Sequence, residues 1–399
     1  MLLKIVWKNL AAKKLTSFLC IVLMLFGICI ISLVVTIGKQ LEDKFSKNIS
    51  GIDMVVGAKG SPLQLILSGV YQIDAPTGNI LLTEANMISK NPLVKEFIPI
   101  SMGDNFKGFR IVGTNKKYID HFKASFSDGQ LFDGVKQVVL GSSVSNQLGL
   151  KIGDSFSSAH GFKEEGEVHE DEKLIVTGIL KFNNSVIDNL ILTSLETVWD
   201  VHEHGKINKQ SQIEPDVLNK EITCALVKFR SPMGLMTIPR NINSNTNMQA
   251  ALPAIEINRL FELMGIGINA INLLALAIIL ISGISVFVTL YNSLKERKYE
   301  MALMLSMGAK RTKLFGMLLL EGLFLSLIGY ILGILLSRIG LYIASNALES
   351  NMNYTLNQMV LQKEEIILLI GALLVGIFAA AIPSLGVYKI NISKTLAND

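Results

Sequence analysis

Charge, cysteine and tryptophan are all scarce in this sequence. Only 18% of its 399 residues are charged, against roughly a quarter in a soluble globular domain, which excludes a chain made wholly of water-facing domains. The 3 cysteines leave no disulfide framework, because Cys20 and Cys29 share one apolar run and Cys224 stands alone. A phosphate cradle is missing too. Gly57-Ala-Lys-Gly-Ser-Pro62 and Gly308-Ala-Lys-Arg-Thr-Lys313 both lack the G-x-x-x-x-G-K-[ST] spacing, so ATP hydrolysis by this chain is not expected. No nucleophile motif frames its Ser, His and Asp residues, and no catalytic residue is assigned.

What the sequence does have is apolar runs. Half of it is hydrophobic, concentrated in Leu15–Ile37, Ile266–Leu294, Leu314–Ser337 and Ile366–Val387. Each run is long enough to cross a hydrocarbon core of about 30 Å at about 1.5 Å per residue. Basic residues set the orientation. Lys4, Lys8, Lys13 and Lys14 precede the first run, Lys295, Arg297, Lys298, Lys310, Arg311 and Lys313 lie between the second and third, and Lys389 and Lys394 follow the fourth. With four spans these groups share one side, the cytoplasm, so both termini lie inside. The net charge of +4 then arises from inner loops and implies no nucleic-acid partner. No small-x-small cleavage site follows the first run, which reads as a retained anchor.

The fold class expected is an α-helical membrane protein with four transmembrane helices and a large α+β extracytoplasmic domain inserted between helices 1 and 2. The segments are a basic leader (1–14), span 1 (15–38), the outer domain (39–263), span 2 (264–294), a cytoplasmic segment (295–313), span 3 (314–337), an outer loop (338–363), span 4 (364–387) and a tail (388–399). In the outer domain, helical spacing marks Leu41–Ile49, Leu63–Val70, Thr83–Ser89, Ser142–Leu148 and Ala254–Leu263. Strands are expected at Asp53–Val56, Phe97–Ile100, Gly108–Thr114, Gln137–Leu140, Leu174–Leu180, Leu190–Thr193 and Thr223–Phe229. Ser157–Lys173, Gly205–Asn219 and Asn241–Met248 read as polar loops or connectors.

Lys295–Lys313 is the most informative stretch. It reads as an amphipathic helix whose Met301, Leu303, Met304, Leu305 and Met307 supply a flexible apolar surface, with Gly308 as its stop. Such a helix lies on the membrane or docks into a groove on a partner. Glu321 interrupts span 3, where a carboxylate needs a partner or a function. Ser326, Gly329, Gly333 and Ser337 put small residues near one face of that span, which suits close helix packing within the chain or across a dimer. Four of the 5 histidines accompany acids: His160 and His169 bracket Glu165, and Trp199-Asp-Val-His-Glu-His204 brings His202 and His204. Imidazole with carboxylate suits Zn²⁺ or Cu²⁺, and His-x-His on a strand points both rings to one face. Acidic surface loops of this kind also occur with no ligand.

Glu300-Met-Ala-Leu-Met-Leu-Ser-Met-Gly-Ala309, followed by Lys310, Arg311 and then Glu321-Gly322, resembles the signature of FtsX/MacB-like ABC transporter permeases, with the likeness running over Ile266–Leu396. Val138-Val-Leu-Gly-Ser-Ser-Val-Ser-Asn-Gln-Leu-Gly-Leu-Lys-Ile-Gly-Asp154 is similar to the periplasmic core domain of the same family. The resemblance implies a coupling helix inserted into a separate ATPase subunit, formed by Lys295, Glu296, Arg297, Glu300, Met301, Ala302, Met304, Gly308, Ala309, Lys310 and Arg311. Where the family often has Arg or Lys, this chain has Leu305. ATP and magnesium would sit on the partner and no cofactor on this chain, apart from zinc at the histidines. Further partners implied are a second permease (a homodimer or a close relative), membrane lipids, and an extracytoplasmic adaptor or outer-membrane component. The location implied is the bacterial plasma (inner) membrane. The function expected is mechanotransmission that drives export or extraction of a substrate. A regulatory scaffold for a cell-wall hydrolase and a metal-responsive membrane sensor are the alternatives.

Overall fold

The computed structural model describes residues 2–161, 168–204, 220–352 and 362–397. They form two units, Met1–Leu41 with Leu263–Asp399, and Glu42–Glu262. Two helices open the chain, α1 (Leu2–Ala12) and α2 (Lys14–Ile49), and the last turns of α2 belong to the outer unit.

In the outer unit, β1 (Met54–Ala58) leads to α3 (Pro62–Gly69), β2 (Ile80–Leu81), α4 (Leu82–Ser89), β3 (Val94–Phe106) and β4 (Phe109–Thr114). There follow α5 (Lys116–His121), β5 (Phe126–Gly129), β6 (Gln137–Leu140), α6 (Ser142–Leu148), β7 (Ser155–His160), β8 (Val168–Leu180), β9 (Leu190–Ser194) and α7 (Leu195–His204). The unit closes with β10 (Glu221–Ile222), β11 (Cys224–Phe229), α8 (Met233–Asn245) and β12 (Met248–Ala251). Local chemistry explains several boundaries. Pro62 starts α3 behind Ser61, whose hydroxyl accepts the Gln64 N–H at 3.4 Å. Gly149, at φ 67, ends α6 in the left-handed conformation.

The principal sheet has ten strands, with β12-β1-β11-β3-β4-β9-β6-β8-β5 in order and β7 paired with β3 and β8. Among the described residues, only β4 with β9 and β6 with β8 run parallel. Successive residues face opposite sides of a strand, and here both sides are covered. Val55, Ile98, Ile100, Val112, Val139, Leu192, Cys224 and Leu226 share one core along one face. The opposite face divides into two clusters, one with Met54, Val56, Phe97, Ala225 and Val227 and the other with Ile111, Val138, Leu140, Val176 and Ile191. Cys224 is fully buried in the first core, and burial pushes its thiol up to about 12, so it is inert at neutral pH.

The membrane-type unit continues with α9 (Pro253–Glu296), α10 (Lys298–Ser306), α11 (Arg311–Met352), α12 (Lys363–Leu385) and the short α13 (Ile392–Ala397). By length and composition α2, α9, α11 and α12 are suited to cross a membrane. The four apolar helices and the α+β domain between the first two agree with the expected fold class. The helices outrun the apolar runs because backbone hydrogen bonding does not stop where hydrocarbon stops. Thus α2 continues to Ile49, and α11 continues to Met352 through much of the stretch expected to be a loop.

Other expectations need correction. Asn241–Met248 is not a connector, since α8 runs to Asn245 and β12 starts at Met248. A second correction concerns Ser157–Lys173, where β7 and β8 pair through Ser157↔Lys173 and Ala159↔Val168. Edge pairing of backbone groups tolerates the polar side chains that suggested a loop. The Trp199–His204 stretch is helical, so the alternation expected of a strand does not apply to His202 and His204. Gly205–Asn219 lies outside the described residues.

His121, in the last turn of α5, is half-buried against the Phe122 ring. Burial lowers its pKa, Lys228 adds to the effect, and Glu96 opposes it. The folded chain therefore binds fewer protons than the unfolded chain around pH 6. Stability from this site is full above the unfolded value of 6.5 and is lost as pH falls through the lower folded value. Thermal unfolding of the full chain between pH 7.5 and about 5 should show a falling Tm, and His121→Gln should make that decline shallower. Parallel profiles for the two proteins would refute the assignment.

Candidate functional site

The loop between α9 and α11 is short and fully described. Arg297, at φ −96 and ψ 14, separates the end of α9 at Glu296 from the start of α10 at Lys298. At the other end Gly308 takes φ +93, which a side chain would strain. Its N–H reaches the Leu305 carbonyl at 3.1 Å, and the Ala309 N–H reaches that of Met304 at 2.9 Å. This pair of bonds is the Schellman closure, so the Gly308 stop read from sequence is correct. The expected single helix over Lys295–Lys313 is too long. Lys295 and Glu296 belong to the end of α9, Lys310 to the turn and Arg311 to the start of α11.

The two faces of α10 differ sharply. Met301 and Ala302 are fully buried and Leu305 is 9% exposed. They share one core with Val6, Leu314, Met317, Leu318, Val387 and Ile390, and Met304 packs partly against it. Met301, Ala302 and Leu305 are thus anchors within the chain and not an open docking surface, which corrects the sequence expectation. Leu305, where the resemblance implies a cation, is turned inward. Tyr299, Glu300, Leu303 and Met307 are exposed. The spacing of Tyr299, Leu303 and Met307 places them along one stripe of the helix.

Glu321 is the polar anchor beneath this loop, and 2% of its side chain is exposed. Asn9 Nδ2 donates to Glu321 Oε1 at 2.6 Å, and an Arg297 guanidinium nitrogen lies 3.4 Å from the same oxygen. The guanidinium also reaches the Asn9 carbonyl at 3.4 Å. One carboxylate therefore ties α1, the turn before α10, and α11. Around it Lys13 pairs with Glu296 at 2.5 Å, and Arg311 donates to the Tyr388 and Ile390 carbonyls. Lys295, Lys298, Lys310 and Lys313 stay exposed.

A second buried ion pair lies outside the sequence expectations. Glu365 is fully buried in the first turn of α12, and Arg338 of α11 donates to its two oxygens at 2.9 and 2.7 Å. Ser32 of α2 donates at 2.7 Å and contacts Ser337 at 2.9 Å. Glu365 also caps its own helix by accepting the Gln362 N–H at 3.2 Å. The available signal was two opposite charges abutting the facing ends of spans 3 and 4.

The small residues of α11 serve packing inside the chain. A Cβ added to Gly329 would lie 2.7 Å from Met24 Cβ, and one added to Gly333 would lie 2.9 Å from the Leu25 carbonyl oxygen. Ser326 and Gly322 face Gly376 of α12 in the same way, and Ser337 meets Ser32. This face is filled by α2 and α12, so it is not available for a dimer. The candidate metal residues His160, Glu165, His169, His202 and His204 lie outside the described side chains, and no metal-type cluster occurs among the described residues.

Removing one member of a buried pair strands the other charge. Arg338→Ala should cost about 3–5 kcal/mol, whereas Arg338→Met combined with Glu365→Gln should cost much less, because no ion is left unpaired. Thermal unfolding in detergent compares the two, and equal losses would show that the charge pairing is not what matters.

Comparison with known proteins agrees with this architecture. The FtsX-like permease C-terminal model matches residues 272–392 and the MacB-like periplasmic core domain model matches residues 17–235. An uncharacterized ABC transporter permease of Methanocaldococcus jannaschii is 25% identical over 243 residues, covering 58% of this chain. The match spans only 56% of that relative's length. Among solved structures, the periplasmic region of MacB from Actinobacillus actinomycetemcomitans aligns with TM-score 0.35 and 14% identity over 54% of this chain and 97% of its own. The extracellular domain of the noncanonic ABC-type transporter YknZ from Gram-positive bacteria aligns with TM-score 0.30 and 13% identity, over 49% and 98%. The two family models carry the assignment, since together they cover most of the sequence: this chain belongs to the MacB/FtsX-type ABC transporter permeases.

Proposed function

We propose that this permease couples ATP binding and hydrolysis on a separate ATPase subunit to movement of its outer domain, which drives export or extraction of a substrate. In this reading both termini and residues 295–313 face the cytoplasm of the inner membrane, and α10 is the coupling helix. The observation that carries it is the division of α10 into two faces. Met301, Ala302 and Leu305 fasten the helix to its own chain, while Tyr299, Glu300, Leu303 and Met307 are left for a partner. A lever needs both properties, an attachment to what it moves and a surface to be pushed.

Force on α10 would pass through Arg297 and Glu321 to α1 and α11 rather than dissipate in a loose loop. Transmission to the outer domain would use α2 and α9, which are single helices from Lys14 to Ile49 and from Pro253 to Glu296. Inside the outer unit their ends are well fastened. Phe45 lies 4.5 Å from the Tyr71 ring and 5.8 Å from the Phe261 ring, and Asn48 accepts the Val186 N–H at 3.1 Å. A pair of permeases matches the two ATPase subunits that enclose two nucleotides. The interface would use surface other than the small-residue face of α11.

The test is association with the ATPase in detergent, with catalysis read as permease-stimulated ATP turnover. Leu303→Asp and Met307→Asp should leave the permease folded while weakening association roughly thirtyfold, as truncating a central anchor worth about 2 kcal/mol does. Met301→Asp should instead lower Tm by burying a charge. If both outer-face variants bind and stimulate the ATPase as the parent does, α10 is not the coupling helix.

A further inference from the structure

The outward face of α1 remains unused by the contacts described so far. Its inward stripe is occupied at every turn: Val6 is fully buried, Asn9 holds Glu321, Leu10 packs into the same core, and Lys13 just beyond the helix pairs with Glu296. These positions follow the i, i+3, i+4, i+7 pattern of a helix lying on a surface. On the other side Trp7 is 60% exposed and Ile5 is 37% exposed, while Lys8 and Lys14 are also exposed. Leu15, Phe18 and Leu19 continue the exposed apolar surface onto α2 at 79%, 62% and 55%. No acidic residue occurs before Glu42.

We propose that α1 is an interfacial helix that binds anionic phospholipid, with Trp7 inserted at headgroup level and Lys8 and Lys14 holding the phosphates. The chemistry fits on three counts. An indole prefers the membrane–water boundary, where its ring is buried and its N–H stays wet. Lysines beside an apolar face extend to anionic headgroups, and the stretch carries no carboxylate to repel them. Tyr291 and Tyr388, 53% and 42% exposed, lie near the corresponding ends of α9 and α12 and add to an aromatic boundary. The other occupant of such a face, a soluble protein, would be favoured by a surface rich in hydrogen-bonding groups, and here the exposed side chains are an indole, aliphatics and lysines. Because Val6 shares a core with Met301 and Ala302, and Asn9 holds Glu321, lipid held on the outer side of α1 steadies the bearing on which α10 rests. The inference rests on the membrane placement proposed above but not on the ATPase coupling, and its test needs no ATPase.

The chain has 2 tryptophans, so Trp199→Phe leaves Trp7 as sole reporter. Full-length protein in phosphatidylcholine nanodiscs is supplied with a minor fraction of lipid brominated near the headgroup end of its acyl chains, as either phosphatidylglycerol or phosphatidylcholine. Brominated phosphatidylglycerol should quench Trp7 as though enriched at least about threefold over bulk, the weight that two lysines near an anionic surface supply at moderate salt. Lys8→Gln with Lys14→Gln should make the two lipids quench equally, with quenching itself retained. Trp199 donates to the Glu221 carbonyl at 2.7 Å, so if Trp199→Phe misfolds, the signal lost on Trp7→Phe in the parent chain reads the same quantity. Equal quenching by both lipids in the parent would overturn anionic recognition. No quenching by either would overturn insertion of Trp7 and point to a protein covering α1.

Discussion

A carboxylate removed from water must find its countercharge inside the fold, and this constraint organises the helical unit. Glu321 and Glu365 are 2% and 0% exposed, and each is met by an arginine, an amide or hydroxyl donor, and a neighbouring helix. Uncompensated burial of a charge is among the costliest arrangements available to a protein, so the partners cannot drift apart without the helices paying in desolvated charge. Both pairs involve α11, which carries Glu321 in one and Arg338 in the other. The two residues are separated by about 25 Å along the helix at 1.5 Å per residue, close to the thickness of a hydrocarbon core of about 30 Å.

Between these two pairs α11 presents small residues. Gly329 and Gly333 admit α2, and Gly322 and Ser326 admit α12. Close packing in lipid depends on such residues because dispersion forces fall off steeply with distance. Ion pairs and glycines therefore do different work on one helix. The glycines let the backbones approach, while the charges choose which turn meets which. A helix sliding by one turn would keep much of its van der Waals contact and lose the match at both carboxylates.

How much of this is legible in sequence depends on the kind of force involved. β6 and α6 are read to the residue, because Val138 and Val139 are apolar and β-branched, Gly141 separates the elements, and Gly149 stops the helix. The end of α10 is equally plain, since Gly308 alone supplies its left-handed turn. By contrast α8 is missed: Asn243 and Asn245 look like loop residues, yet Asn243 accepts the Ala250 N–H at 2.7 Å and fixes β12 alongside. Tertiary hydrogen bonding overrides local composition there. The direction of Met301 and Leu305 is hidden for another reason. An apolar residue on a short helix between two spans suits a partner and its own core equally, and only the positions of Val6 and Leu318 decide between them.

The inward turn of Met301 and Leu305 also bears on the coupling role proposed for α10. Were its whole apolar face given to a partner, the helix would rest on nothing of its own, and a push would unfold the loop before it moved a span. With one face committed to Val6, Leu314, Leu318 and Val387, the loop shares a core with α1, α11 and the segment after α12. Close-packed cores transmit displacement because they hold little free volume to absorb it. Arg297 and Gly308 then mark the two ends at which the direction of the chain is fixed, one by a buried ion pair and the other by a left-handed glycine. A short helix pinned at both ends and seated on a packed base meets the mechanical requirement of the proposed coupling, that a push be passed to α1 and α11 rather than absorbed in the loop.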